Sequence, residues 1–83
     1  MNDIRVYGAH WCGDTRATRR QLDDLGVHYE YLDVDLEPEA KSWVKEQNDG
    51  KQKLPTVDVK GTILSVPDEE ELEAALRKSG LLK

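Results

Sequence analysis

The chain has 83 residues, with 12 Lys and Arg against 17 Asp and Glu, and its net charge is −5. This length fits a single domain over residues 1–83 with a thin core, because a chain this small buries only about two-thirds of its unfolded surface. The acidic balance argues against nucleic acid or membrane partners, since both reward basic patches. Its short apolar runs also fall far below the roughly 18 residues that a membrane span needs.

Leu, Val and Ile supply about 23% of the residues, slightly above the roughly 20% below which disorder is expected. Order therefore depends on how these residues are spaced. The chain has one cysteine, Cys12, and two histidines, and this set predicts no metal site because structural zinc needs about four clustered ligands. Small secreted domains usually carry several disulfides, and no basic-then-apolar leader precedes Ile4. We therefore expect a cytoplasmic location.

Hydrophobic spacing and stop signals predict the regular elements in chain order. We expect strands at residues 4–7, 29–34, 56–59 and 62–64, and helices at 12–25, 38–48 and 68–79. Gly26 follows the last apolar position of the first helix, Pro38 suits the start of the second, and Asp68 is the expected N-cap of the third. Lys60-Gly61 predicts a tight hairpin turn.

The resulting order is β-α-β-α-β-β-α. A strand-helix-strand start requires a parallel pair with a right-handed crossover, and the later hairpin adds an antiparallel pair. The sequence therefore predicts an α/β fold with a four-stranded mixed sheet flanked by three helices.

Cys12 lies between the first strand and the first helix, at the sheet edge where α/β proteins place their sites. A helix N-terminus offers unpaired N–H groups and a positive dipole end, which favour a thiolate. We expect Arg16, four residues on, to reach the sulfur, and the Thr15 hydroxyl to donate a hydrogen bond to it. The Asp14 charge opposes this stabilisation.

Thr15 also indicates the mechanism, since a two-cysteine redox site has its second cysteine three residues after the first. Threonine cannot resolve a mixed disulfide, so Cys12 would attack and an external thiol would release it. The alternative is that Cys12 is buried and inert, as free cysteines often are. Its polar and aromatic neighbours are not typical of a core, which favours the reactive interpretation.

Leu54-Pro55-Thr56 is the second candidate site element. Proline cannot donate to a β-ladder, so it is tolerated only at positions such as a strand's first residue. A cis bond at Pro55 would turn the Leu54 backbone outward to pair with an extended ligand, whereas a trans bond would simply begin the strand. The sequence pattern leaves both alternatives open.

The segment from Tyr7 to Arg16, the run Leu54-Pro55-Thr56-Val57 and Asp68 before the last helix together resemble the glutaredoxins of the thioredoxin-like superfamily. The small bacterial members of the mycoredoxin type are the most similar. This resemblance implies a thioredoxin-like fold and a monothiol thiol–disulfide oxidoreductase. It also implies a monomer that acts on mixed disulfides, with a low-molecular-weight thiol (glutathione, mycothiol or a similar compound) as co-substrate and no tightly bound cofactor.

The resemblance also assigns roles to individual residues. Cys12 corresponds to the nucleophile, Pro55 to the family's cis-proline, and Leu54 to the residue whose backbone pairs with the thiol ligand. Asp68 lies near the acidic position that holds the γ-glutamyl amine of glutathione. Trp11, beside the nucleophile, is either a stacking surface for a partner or an anchor of its loop.

Three departures from the family bear on these roles. Thr15 replaces the second cysteine, Ser65-Val66 replaces a glycine pair, and Ala9-His10-Trp11 lacks the lysine that often precedes the active cysteine. Glutathione is therefore one candidate among several thiols, and a protein thiol is another. The cluster-carrying monothiol branch usually has Cys-Gly-Phe-Ser, but this chain has Cys-Gly-Asp-Thr.

Two other functions remain as alternatives. Cys12 and Arg16 have the Cys-x3-Arg spacing of thioredoxin-like arsenate reductases, in which an arginine assists an oxyanion, although those proteins carry an additional helical segment. The chain could also be a non-catalytic thioredoxin-like binding module or an iron–sulfur carrier.

Overall fold

The computed structural model describes residues 3–82, and residues 1, 2 and 83 of the predicted domain lie outside that range. Its elements in chain order are β1 (Ile4–Gly8), α1 (Gly13–Asp24), β2 (Glu30–Asp33), α2 (Pro38–Gln47), β3 (Thr56–Val59), β4 (Thr62–Ser65) and α3 (Glu69–Lys78). The predicted order is confirmed. Each bound differs by one residue at most. At three helix ends the reason is that Cys12, Asn48 and Asp68 are caps with extended or irregular backbone angles.

The sheet has the strand order β2-β1-β3-β4. β1 is parallel to β2, antiparallel to β3, and β3 is antiparallel to β4, so the predicted mixed sheet with three helices is confirmed. Lys60 and Gly61 close the β3–β4 hairpin with φ of 49° and 94°, the left-handed pair that a two-residue turn needs.

The two central strands contribute to the core on both sides of the sheet, since successive residues of a strand face opposite sides. On one side, four strand residues pack against α1 and α3 and form a cluster with helix residues: Ile4, Val6, Val57, Val59, Leu22, Leu72 and Leu76. On the other side, Tyr7 packs with Val34, Ala40 and Val44. The Trp43 ring stacks on Tyr7 with its centroid 4.1 Å away.

The start of α3 is fixed by a reciprocal cap. Asp68 accepts a hydrogen bond from the Glu71 backbone N–H at 2.8 Å, and the Glu71 carboxylate accepts from the Asp68 N–H at 3.4 Å. This capping box confirms the predicted N-cap, and the three acids of the first turn complement the positive end of the helix dipole.

The antiparallel pairing of β1 with β3 places the functional segments together. Tyr7 near the end of β1 is the partner of Thr56 at the start of β3. The loop that leaves β1 carries Cys12, and the loop that enters β3 carries Leu54 and Pro55. The two loops therefore meet at one edge of the sheet.

Candidate redox site

Cys12 is the N-cap of α1, with φ −82° and ψ 121°, and its side chain makes no capping hydrogen bond. Its backbone N–H donates to the Ala9 carbonyl at 3.0 Å, and its own carbonyl accepts from the Arg16 N–H at 3.1 Å. The thiol is half-buried. The sulfur therefore lies at the positive end of α1, where unpaired N–H groups favour an anion.

The sulfur faces the segment before β3. Cys12 Sγ lies 3.8 Å from the Leu54 carbonyl oxygen, and the Leu54–Pro55 peptide bond is cis, the form that the family resemblance implies. A carbonyl oxygen can only accept a proton, so this contact belongs to the neutral thiol.

Thr15 is fully buried and points into the fold. Its hydroxyl oxygen accepts from the Ala9 N–H at 3.4 Å, and its side chain fills the space beside Gly8. Within residues 3–82, the hydrogen bond found for Cys12 Sγ goes to Leu54, so the expected Thr15–sulfur bond is not formed. The reason is that the missing side chain of Gly8 leaves room for Thr15 against β1.

Arg16 also differs from expectation. Its guanidinium Nη1 donates to the His10 carbonyl at 3.0 Å, and its side chain does not bond to the sulfur. His10 lies in the loop between β1 and α1, so its carbonyl belongs to no helix or strand ladder and can accept this bond from α1. Arg16 thus stabilises the loop that carries Cys12, because its guanidinium binds the loop backbone two residues before the thiol.

Trp11 is an anchor of its loop, which is one of its two predicted alternatives. Its indole Nε1 donates to Asp35 Oδ2 at 2.7 Å, which anchors one edge of the ring to the connection after β2. The side chain is nevertheless 57% exposed. An apolar face directly beside Cys12 therefore remains open to a partner.

Asp33, at the end of β2, is a site residue that sequence reasoning missed. It is 7% exposed and accepts hydrogen bonds from the Asp35 N–H at 2.9 Å, the Tyr31 hydroxyl at 3.1 Å and the His10 N–H at 3.3 Å. The signal that could have found it is its position, because Asp33 pairs with Gly8 in the parallel ladder, directly before the Cys12 loop.

These contacts shift two pKa values. Burial is the largest influence on the Asp33 carboxyl and by itself would raise its pKa. The hydrogen bonds from Asp35, Tyr31 and His10 together outweigh burial and hold the Asp33 pKa below its usual value. Burial and the hydrogen bond to Asp33 raise the pKa of Tyr31 to about 12. The neutral phenol and the ionised carboxylate therefore form a stable pair at neutral pH.

A second polar group that sequence reasoning missed supports the segment around Pro55. The buried Asn48 amide donates to the Val44 carbonyl at 2.7 Å and to Thr56 Oγ1 at 3.1 Å, and its oxygen accepts from the Ser65 hydroxyl. Thr56 Oγ1 in turn donates to the Lys53 carbonyl at 2.7 Å. The sequence pattern indicates Asn48 only as part of a turn.

Asp68 lies across a cleft from the start of α1. A cavity of about 340 Å³ beside Asp14 is lined by Val66, Pro67 and Asp68 on the opposite wall. Val66 replaces a family glycine yet has a left-handed φ of 46°, and its N–H donates to the Pro55 carbonyl at 2.8 Å. The backbone shape that glycine usually provides is therefore retained, at the cost of local strain.

Within residues 3–82, no group of three or more His, Cys, Asp or Glu side chains could hold a metal ion. None of the helices in this range is both long enough and apolar enough to cross a membrane.

A single cysteine at a helix N-terminus, opposite a cis-proline at the edge of a mixed sheet, defines a thioredoxin-like redox protein of the monothiol type. A family model described as glutaredoxin matches residues 4–64. The chain therefore belongs to the glutaredoxin family, and the resemblance drawn from its motifs is confirmed. It is a monothiol glutaredoxin-like redox protein, and its family carries out thiol–disulfide oxidoreduction in general.

Individual relatives agree with this assignment. Mycoredoxin 1 of Corynebacterium glutamicum is 40% identical over 57 residues, which cover 69% of this chain and 70% of that protein. The solved NrdH-redoxin from Escherichia coli is 27% identical, with a TM-score of 0.76 over 86% of this chain and 91% of that chain. Buckwheat glutaredoxin, solved in complex with glutathione, has a TM-score of 0.74 over 99% of this chain and 83% of that chain; at 22% identity it shows the shared fold.

Proposed function

We propose that this protein is an enzyme that reduces mixed disulfides between proteins and a low-molecular-weight thiol, with Cys12 as the nucleophile. The observation that carries the proposal is the position of Cys12 Sγ at the start of α1, 3.8 Å from the Leu54 carbonyl oxygen of the cis-proline segment. A half-buried sulfur beside the backbone of the Leu54–Pro55 segment supports attack on a disulfide that lies against that segment.

The reaction has two exchange steps. First, the Cys12 thiolate attacks the small-thiol sulfur of the mixed disulfide; a new S–S bond forms at Cys12, and the protein sulfur leaves as a thiolate that takes a proton. Second, a free molecule of the small thiol, as its thiolate, attacks that S–S bond. The Cys12 thiolate is released, and the two small thiols leave as their own disulfide, so the small thiol is the reductant.

The other predicted site residues have supporting roles in this proposal. Leu54 offers backbone groups to the substrate, Pro55 holds Leu54 in place, and Trp11 presents an apolar face. Asp68, across the cleft from Asp14, would bind the γ-glutamyl amine when the small thiol is glutathione. Thr15 and Arg16, which the sequence predicts as direct partners of the thiolate, act instead through the Ala9 and His10 backbone that they bind.

Glutathione and mycothiol are the two co-substrates to compare. The family includes a protein solved with glutathione, and a curated relative is a mycoredoxin. We propose that the protein works with one of them, or a similar thiol, without a tightly bound cofactor. We further propose a cytoplasmic monomer in which residues 1–83 form one domain, with neither nucleic acid nor membranes as partners.

The test compares the wild-type protein with Cys12→Ser on one peptide carrying either glutathione or mycothiol as a mixed disulfide. We expect exchange by the wild type and its complete loss in Cys12→Ser, because serine cannot form the covalent intermediate. Ser42→Ala, which removes an exposed hydroxyl on α2, is the matched control. Equal activity of Cys12→Ser and wild type would refute the proposal.

Intact mass after the first step identifies the preferred thiol by the mass that it adds at Cys12. The same preparations address the alternatives. Arsenate reduction that depends on Cys12 would support the oxyanion reductase, although Arg16 is engaged with His10 in this structure. Purified protein that contains iron and lacks exchange activity would support the cluster carrier.

A further inference from the structure

The segment between β1 and Cys12 is held by two carboxylates, one at the end of β2 and one in the connection that follows it. Asp33 Oδ2 accepts from the His10 backbone N–H at 3.3 Å and lies 3.6 Å from His10 Nδ1. Asp35 Oδ2 accepts from the Trp11 indole at 2.7 Å. Both residues immediately before the nucleophile are therefore tied to a different element of the fold.

The Asp33 carboxylate is itself rigidly placed. It is buried at the end of a strand that pairs with β1, and the Tyr31 hydroxyl and Asp35 N–H occupy further lone pairs. The bond to the Asp35 N–H also positions the residue that binds Trp11. Hydrogen bonds to an ionised acceptor are among the strong ones, so this small network is a firm anchor.

We propose that Asp33 and Asp35 are positioning residues that hold the His10–Trp11 segment, and through it the direction of Cys12 Sγ and the open face of Trp11, ready for the incoming disulfide. This inference rests on the proposed exchange reaction. It adds to that reaction a pair of residues that touch neither the sulfur nor the substrate. Their effect is on the geometry of attack, which is sensitive to displacements of about 1 Å.

The two carboxylates have separable effects. Loss of Asp35 frees the indole but leaves His10 bound to Asp33, so it affects mainly the apolar surface offered to the substrate. Loss of Asp33 releases the His10 backbone and also the Asp35 N–H. We therefore expect Asp35→Ala to raise KM with little change in kcat, and Asp33→Ala to lower kcat as well, by about ten- to a hundredfold.

The experiment follows the mobility of Trp11 as well as activity. In a Trp43→Phe background, Trp11 is the one remaining tryptophan, so its time-resolved fluorescence anisotropy reports on this segment alone. The variants are Asp33→Ala, Asp35→Ala and Asp35→Asn. Asp49→Asn is the control; it removes the same charge from an exposed residue whose left-handed φ of 55° suits asparagine.

We expect faster and wider motion of Trp11 in both alanine variants, with the KM and kcat changes given above. Asparagine retains an oxygen that accepts from the indole, so Asp35→Asn should keep both the slow decay of Trp11 anisotropy and the low KM.

Two outcomes would overturn the inference. One is unchanged Trp11 motion in a folded Asp35→Ala protein, and the other is an Asp35→Asn protein that behaves like Asp35→Ala. If circular dichroism shows that Asp33→Ala does not fold, the comparison of Asp35→Ala with Asp35→Asn still tests the inference. Absence of exchange by the wild type would count against the proposed function alone, since the anisotropy measurement needs no activity.

Discussion

Gly8 and Thr15 are complementary in shape across the junction between β1 and α1. A Cβ atom on Gly8 would lie 2.5 Å from the Thr15 hydroxyl oxygen, and the Cγ2 methyl is also within clashing distance. Both residues belong to elements that cannot shift easily, because Gly8 is paired with β2 and Thr15 is fully buried. Gly8 therefore decides how closely α1, with Cys12 at its start, approaches the sheet.

We expect Gly8→Ala to destabilise the protein by roughly 1–3 kcal/mol, the usual cost of overpacking a rigid site. Chemical denaturation measures the loss. The double variant Gly8→Ala with Thr15→Ala should lose less than the sum of the two single variants, since alanine in place of Thr15 leaves room for the added methyl. If the losses of unfolding free energy in the two single variants simply add in the double variant, the proposed clash between position 8 and Thr15 is wrong.

Thr15→Cys tests why the chain needs an external thiol. Cysteine lacks one branch of the threonine side chain, so it should be accommodated beside Gly8, and it recreates the Cys-x-x-Cys spacing of dithiol sites. We expect the oxidised variant to form a disulfide between Cys12 and the introduced cysteine, seen by mass as a loss of two hydrogens. Release of the bound small thiol should then no longer depend on the concentration of free thiol.

The control for that experiment is Ser42→Cys, which adds a thiol at an exposed position of α2, a different helix from the one that begins at Cys12. It should show neither the intramolecular disulfide nor the change in kinetics. If the control variant shows the same disulfide and the same kinetics as Thr15→Cys, any additional thiol produces the effect. The position of residue 15 would then not explain it.

The fold could be predicted because each element carries its own start or stop signal. Asp68 caps α3 as expected, Gly26 follows α1, and Lys60-Gly61 forms the hairpin turn. These signals are local, so they can be recognised from a few neighbouring residues. Residue type and position between elements also single out Cys12 and Pro55 as candidate site residues. The cis bond at Pro55 is implied by the family resemblance and left open by the pattern alone.

The partners of the site could not be predicted in the same way. The spacing predicts that Arg16 and Thr15 bind the sulfur, but each binds a backbone group of the Ala9–His10 loop instead. That outcome depends on the direction of loop carbonyls and N–H groups, which spacing does not determine. Asn48 likewise looks like a turn residue, and only the meeting of α2, β3 and β4 reveals its buried amide.

Asn48→Asp should cost about 2–4 kcal/mol, because the substitution replaces a donor by a carboxylate oxygen that faces the Val44 carbonyl in a buried position. The free energy of unfolding at neutral pH measures the effect. Gln47→Glu makes the same amide-to-carboxylate change at the neighbouring exposed position and should leave stability within about 0.5 kcal/mol of wild type. Similar losses in both would argue against the network.

Tyr31 should make the protein sensitive to alkali. Its pKa is raised from 10.0 to about 12 in the folded state, so the folded protein favours the neutral phenol. The stabilisation is complete below the unfolded pKa of 10.0 and is lost as pH rises towards about 12. Thermal unfolding across this window should show a fall in Tm that Tyr31→Phe lacks. The control Tyr29→Phe retains the Tyr31 hydroxyl, so its Tm should still fall across this pH window.

The sheet order determines when the site is lost as the protein unfolds. β1 and β3 are the two inner strands, and one leads into Cys12 while the other begins directly after Pro55. Inner strands open only in the rarest, largest fluctuations of a domain, whereas edges and termini open often. Amide hydrogen exchange of Val6 and Val57 should therefore be as slow as global unfolding allows. The nucleophile and its proline support should then persist together until the whole domain unfolds.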